Sequence, residues 1–84
     1  MEQEEFELAE TTDNYEHIVK QIDDKHRIIR CVDNIQFISQ TRTGGQSQYP
    51  WRSESYYMTK AGAERQSYKF QQAALSLFDV ETAP

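Results

Sequence analysis

The stretch "HRIIRCVDNIQFISQTR", residues 26–42, decides the fold of this chain. Two runs that favour β-structure, "HRIIRCV" and "IQFISQTR", are separated only by Asp33 and Asn34. Both of these residues tolerate positive φ, which a two-residue type I′ turn requires. The pattern therefore predicts a tight antiparallel hairpin in which Arg30 lies opposite Phe37.

The two faces of this hairpin differ in polarity, because successive side chains of a strand point to opposite faces. One face is mainly apolar and is the expected core face; it carries Ile28, Val32, Ile35 and Phe37, with Arg30 among them. The other face is half polar, so we expect it to be partly exposed; it carries Arg27, Ile29, Cys31, Gln36, Ile38 and Gln40.

The chain after the hairpin predicts a third strand and then a helix. The run "WRSESYYM", residues 51–58, has β-favouring aromatics and alternates, which places Trp51, Ser53, Ser55 and Tyr57 on one face. Thr59 stands where a helix N-cap belongs. Residues 60–78 have apolar residues three and four apart, which indicates one amphipathic helix of about five turns lying across the sheet.

The chain before the hairpin is harder to assign. "YEHIVKQI", residues 15–22, suits a helical face or an edge strand, and both interpretations stay open. Residues 1–14 are polar and acidic, and we expect a flexible arm there. The predicted fold is α+β: a small antiparallel sheet of three strands, or four if 15–22 is a strand, packed against one C-terminal helix in a single domain of residues 15–84.

Size and composition limit the class of protein. The chain has 84 residues, enough for one domain with a small core, and this leaves a homodimer open. Its single cysteine excludes an intrachain disulfide. No apolar run approaches the roughly 20 residues of a membrane helix, and the acidic start is unlike a signal peptide. We therefore expect a soluble cytoplasmic protein without a membrane partner.

The net charge of −5 is unevenly distributed. Residues 1–17 contain seven carboxylates and no Lys or Arg, whereas residues 18–78 contain all nine Lys and Arg against five acids. An acidic segment of this kind can serve as a solubilising tail. It can also dock on a basic groove of a partner, where it would occupy phosphate positions.

Residue patterns that carry chemistry are not found. His17 and His26 are the two histidines, and neither has a carboxylate or thiol at a spacing typical of a catalytic dyad or a zinc site. Cys31 in a strand is expected to be a small buried apolar residue. The sequence therefore predicts no catalytic residues, no metal, no cofactor and no enzymatic activity.

Binding is the better class of function, and "YPWRSESYYMTK", residues 49–60, carries the signal. Trp, Tyr and Arg are the residue types most common at interface hot spots. The predicted partner-binding residues are Trp51, Arg52, Tyr56, Tyr57 and Arg42, with the acidic Glu4, Glu5, Glu7 and Glu10 adding electrostatic attraction. One alternative is a single-stranded DNA or RNA module that uses an Arg/aromatic sheet, although Glu54 and the net negative charge oppose phosphate. Another is a self-associating structural or subunit protein.

The stretches "IQFISQTR" (35–42) and "WRSESY" (51–56), followed by Thr59-Lys60, resemble a pattern in small phage and prophage proteins of unknown or anti-defence role. The resemblance covers residues 31–69, about half of the chain, and Phe37 stands where that pattern has tryptophan. It implies an inhibitor of bacterial immunity, similar to anti-CRISPR proteins, acting in the cytoplasm of the host cell. The implied partner is a host nucleic-acid-handling defence complex such as a CRISPR-Cas effector.

Overall fold

The computed structural model describes residues 9–43 and 48–78, which form an α+β fold. One antiparallel sheet contains β1 (Ile18–Asp23), β2 (His26–Arg30), β3 (Phe37–Arg42) and β4 (Trp51–Tyr57), in that spatial order. Two helices follow, α1 (Lys60–Glu64) and α2 (Tyr68–Ser76). The predicted α+β class is confirmed, and the segment that was left open supplies β1 as a fourth strand at the sheet edge.

The register of the β2–β3 hairpin is the one expected from its sequence. Arg30 lies opposite Phe37, and Ile28 lies opposite Ser39. Because one slipped residue would exchange the two faces of a strand, this register fixes which side chains meet the helices.

The turn of this hairpin is wider than predicted. The Cys31 N–H donates to the Gln36 carbonyl at 3.0 Å, which leaves residues 32–35 as a four-residue loop. Asn34 has φ 59° and is the one described non-glycine residue with positive φ, so a type I′ turn, which needs two, is wrong. The Cys31 Sγ accepts from the Ile35 N–H at 3.3 Å, and this contact stabilises the wider loop.

The first sheet face is the core face, as predicted, but only in part. Ile28 is fully buried there with Tyr57, Ala63, Phe70 and Ala74 under the two helices. Ile35 does not join this core, because it lies in the wider loop beyond the paired strand residues, where it is 60% exposed. Val32 packs against the opposite cluster instead.

The second face differs from the prediction, since it is buried. Ile29 and Ile38 have no exposed surface, and they pack with Tyr15 in a second apolar cluster. Residues 9–17 cover this face, so the part of the predicted arm at 9–14 lies against the sheet; residues 1–8 lie outside the described residues. Arg27 and Gln40 can be buried here because the covering segment supplies hydrogen-bond acceptors in place of water.

A β-bulge in β4 overturns the predicted alternation. Gln40 pairs with Ser53 while its neighbour Ser39 pairs with Ser55, so Glu54 is an extra residue. A bulge of one residue shifts every later side chain to the other face. Trp51 and Ser53 therefore share the Gln40 face, whereas Ser55 and Tyr57 point toward the helices. Strand β1 is irregular as well, with two register shifts against β2.

The predicted single helix over residues 60–78 is wrong, because the chain breaks between α1 and α2. Thr59 is the N-cap of α1, as expected, and its Oγ1 accepts from the Gly62 N–H at 3.2 Å. Ser67 has an extended backbone and is the N-cap of α2. The break directs Gln66 inward, where its Oε1 accepts from the Ser39 hydroxyl at 2.9 Å and from the Ser55 hydroxyl at 2.5 Å.

Gly62 provides a test of how closely α1 approaches β4. A Cβ at this position would lie 2.6 Å from the Tyr57 Cβ. Helix propensity alone favours alanine by about 1 kcal/mol. Overpacking costs about 1–3 kcal/mol, so we expect Gly62→Ala to lower the free energy of unfolding, measured by urea denaturation. The control is Ala61→Gly at an exposed position, which should lose only about 1 kcal/mol. A Gly62→Ala protein more stable than the parent would contradict the close approach.

Candidate protein-binding surface

The buried polar network of the second face is built around Arg27. The guanidinium is fully buried, and its Nε donates to the Gln40 Oε1 at 2.7 Å. Its Nη2 donates to the backbone carbonyls of Glu10 at 3.1 Å and Thr12 at 2.8 Å. The Cζ atom lies 4.2 Å from the centre of the Trp51 ring, a cation–π distance. Burial lowers the pKa of Arg27 to about 10, so the side chain remains charged at neutral pH.

Replacement of Arg27 tests this network. Arg27→Met would leave buried acceptors of Gln40 and Thr12 without their donor, and each such loss costs about 1–3 kcal/mol. We therefore expect a loss of at least about 2 kcal/mol in the free energy of unfolding, seen in chemical denaturation. Arg52→Met is the matched control, because Arg52 is exposed and its ion pair is worth at most about 1 kcal/mol. Equal losses of unfolding free energy in the two variants would mean that the network does not hold residues 9–17 against the sheet.

Asp13 joins the covering segment to two of the predicted binding residues. Its carboxylate accepts from the Arg42 Nε at 3.1 Å and Nη2 at 2.9 Å. It also accepts from the Trp51 Nε1 at 2.8 Å. Hydrogen bonds from Arg42 and then Trp51 lower the pKa of Asp13 to about 2. The polar groups of Arg42 and Trp51 are thus used within the chain.

The lowered pKa of Asp13 predicts a pH dependence of stability. The folded-state pKa lies below the unfolded one, so the stabilisation is present above about pH 4 and is lost as pH falls toward 2. The carboxylate is more than half exposed, so the effect should not exceed about 1 kcal/mol. We expect Asp13→Asn to be less stable than the parent at pH 7 and equal to it near pH 2, by urea denaturation at each pH. A gap that stays constant with pH would refute the assignment.

The other predicted partner-binding residues are not brought together. Trp51 and Tyr57 are both buried, on opposite faces of the sheet, and the Tyr57 hydroxyl lies 3.0 Å from the Ser39 hydroxyl. Glu10 is also buried, and its carboxylate accepts from the Val32 N–H at 2.8 Å. The remaining acids of the set lie outside the described residues: Glu4, Glu5 and Glu7.

Arg52 and Tyr56 are the predicted residues that the structure leaves exposed. Arg52 Nη2 lies 3.0 Å from the Glu54 carboxylate, and this bond is the main reason that the pKa of Glu54 is lowered. Tyr56 is 55% exposed and lies opposite Ile38 near the end of β4. Among the predicted residues that the structure describes, these two are the exposed ones.

Three apolar side chains and one arginine lie at the end of the sheet that holds the 32–35 loop. We call it the hairpin-end surface and define it as Arg30, Ile35, Phe37 and Met58. Ile35 is 60% exposed and Met58 is 58% exposed. Phe37 is partly buried opposite Tyr57 and contacts the ring of Phe78, with centroids 5.4 Å apart. Arg30 lies over the Phe37 ring, with its Cζ 4.5 Å from the ring centre.

Sequence reasoning missed this surface because it placed Ile35 in the core. The prediction of a two-residue turn extended the strand through Ile35 and gave it an inward position. A four-residue turn, which Asp33-Asn34 also permits, would have placed an isoleucine at the exposed tip. An apolar residue at a loop tip was the available signal.

The edges of the sheet are poorly suited to pairing with another strand. At the start of β4 the outward N–H of Trp51 donates to the Thr11 carbonyl at 3.2 Å. The Glu54 bulge then distorts the middle of β4, and β1 carries its own irregularities. Addition of a further strand along either edge is therefore disfavoured.

His26 has a structural position. Its Nδ1 lies 2.8 Å from the Asp23 carboxylate, and its ring packs edge-on against Phe70 at 5.5 Å. These contacts join the β1–β2 turn to α2.

Cys31 is buried, as predicted. Within residues 9–43 and 48–78, no group of three or more His, Cys, Asp or Glu is placed to hold a metal ion.

Comparisons with known proteins identify no relative. No family model matches the sequence, and neither a curated protein nor a solved structure matches it significantly. In the described part of the chain, neither helix has the length and apolar character needed to span a bilayer.

Proposed function

We propose that this protein is a non-enzymatic binding protein that docks on another protein through the hairpin-end surface, with Tyr56 beside it. The exposure of Ile35 and Met58 at one end of the sheet supports the proposal most directly. Grouped exposed apolar side chains are typical of interaction sites, and an arginine and a tyrosine are the polar types that anchor such sites.

The partner class that we propose is a host defence protein, such as a CRISPR-Cas effector complex, which the bound protein would inhibit. Support comes from the resemblance of residues 31–69 to small phage and prophage proteins. The acidic N-terminus supports it as well, since residues 1–17 contain seven carboxylates and no Lys or Arg. A local negative potential attracts the basic channels of proteins that hold nucleic acid.

The geometry gives less support to direct binding of single-stranded nucleic acid. Such binding uses an open sheet face or groove with stacking aromatics and free cations. Here helices cover one face and residues 9–17 cover the other. Arg27 is buried, and Arg42 is paired with Asp13.

Variants of the hairpin-end surface test the proposal. The purified protein is added to CRISPR-Cas effector complexes, and target cleavage and co-elution on size exclusion are measured. The double variant Ile35→Ser/Met58→Ser should weaken binding at least about tenfold, because it removes the exposed apolar contacts. Its melting temperature should change little, since both side chains are largely exposed.

The matched control is Tyr68→Ser. Tyr68 is 92% exposed, but it begins α2, far along the helix from Phe78. We expect this variant to bind and inhibit like the parent. Failure of every effector to co-elute, or equal loss in the control and the double variant, would reject the proposed function. Tight binding of single-stranded DNA in a low-salt anisotropy titration would favour the nucleic-acid alternative instead.

A further inference from the structure

We infer that the hairpin-end surface selects a partner segment in which an Asp or Glu side chain stands beside a large apolar residue, with Arg30 holding the carboxylate. The inference rests on the proposed protein-binding function. It goes further by naming the chemistry of the segment that is bound and the residue that selects it.

Arg30 has an unused hydrogen-bond donor. Its Nε is buried, and among the described residues it has no hydrogen-bond partner. Its Nη2 donates to the Asn34 carbonyl at 3.3 Å, a long contact that leaves room for a better acceptor. The Nε is closed to solvent, but the side chain as a whole is only partly buried, so an incoming acceptor can reach its Nη groups.

The other strand arginines already have partners. Arg42 is paired with Asp13 and Arg52 with Glu54, while Arg27 is saturated by carbonyl and amide oxygens. Arg30 forms no ion pair with a carboxylate of the described residues. It is therefore the strand arginine whose charge is available to a ligand.

The geometry around Arg30 suits a carboxylate with an apolar neighbour. The two Nη groups of a guanidinium form a fork that binds a carboxylate through two parallel hydrogen bonds. Packing on the Phe37 ring holds the guanidinium in place, so little side-chain freedom remains to be lost on binding. Ile35 follows Asn34, whose carbonyl Arg30 contacts, and Met58 follows Tyr57, which lies opposite Phe37. Both are exposed and offer contact to an apolar side chain next to the carboxylate.

The test uses two peptides that differ only in charge, N-acetyl-Asp-Phe-amide and N-acetyl-Asn-Phe-amide, added to the full-length protein labelled with 15N and 13C. The readouts are the Arg30 Nε–Hε resonance, assigned from its absence in Arg30→Lys, and the methyl signals of Ile35 and Met58. We expect the aspartyl peptide to shift all three with a Kd in the millimolar range, and the asparaginyl peptide to bind at least about tenfold more weakly. Arg30→Lys should abolish this discrimination. Equal shifts from both peptides, or none from either, would overturn the inference.

A carboxylate of the chain itself is the competing occupant. Asp79→Asn and Glu81→Gln, examined without peptide, should leave the Arg30 Nε–Hε resonance unmoved; a shift in either variant would overturn the inference. Failure of the peptide test while Ile35→Ser/Met58→Ser still loses effector binding would reject the role of Arg30 alone. Retained effector binding in that double variant would reject the proposed function itself.

Discussion

The buried guanidinium of Arg27 organises the rest of this small fold. It binds the carbonyls of residues 10 and 12, and it thereby holds an otherwise polar segment over the second face of the sheet. With that segment in place, Ile29 and Ile38 lie in a second apolar cluster, and a thin sheet becomes the middle layer of a three-layer domain. Both faces are then covered, so neither is an open surface.

The bulge in β4 and the break between the helices are linked by one polar cluster. Without the bulge, Ser55 would point to the opposite face from Ser39. With it, both hydroxyls point toward the helices, where Gln66 accepts from each. Gln66 also donates to the Gly62 carbonyl at 3.1 Å, which ties this cluster to α1. Two irregularities that look independent in sequence thus satisfy the same buried groups.

Local signals in the sequence predicted local structure well. The register of the hairpin, the extent of β4 and the N-cap at Thr59 all follow from neighbouring residues, and all are observed. The burial of Arg27 did not follow, because it depends on carbonyls fifteen and seventeen positions away in sequence. The aromatic residues predicted to bind a partner are partly buried and partly exposed for a related reason, since Trp and Tyr favour cores as much as interfaces. Tertiary contacts bury Trp51 and Tyr57 and leave Tyr56 exposed.

The irregular edges of the sheet also bear on how the protein behaves when it is concentrated. A flat outer strand is a template on which further chains can add one after another, as in fibrils. Here the Thr11 carbonyl and the Glu54 bulge interrupt one outer strand, and two register shifts interrupt the other. The molecule can therefore present apolar side chains at one end of the sheet without offering continuous edges for open-ended polymerisation.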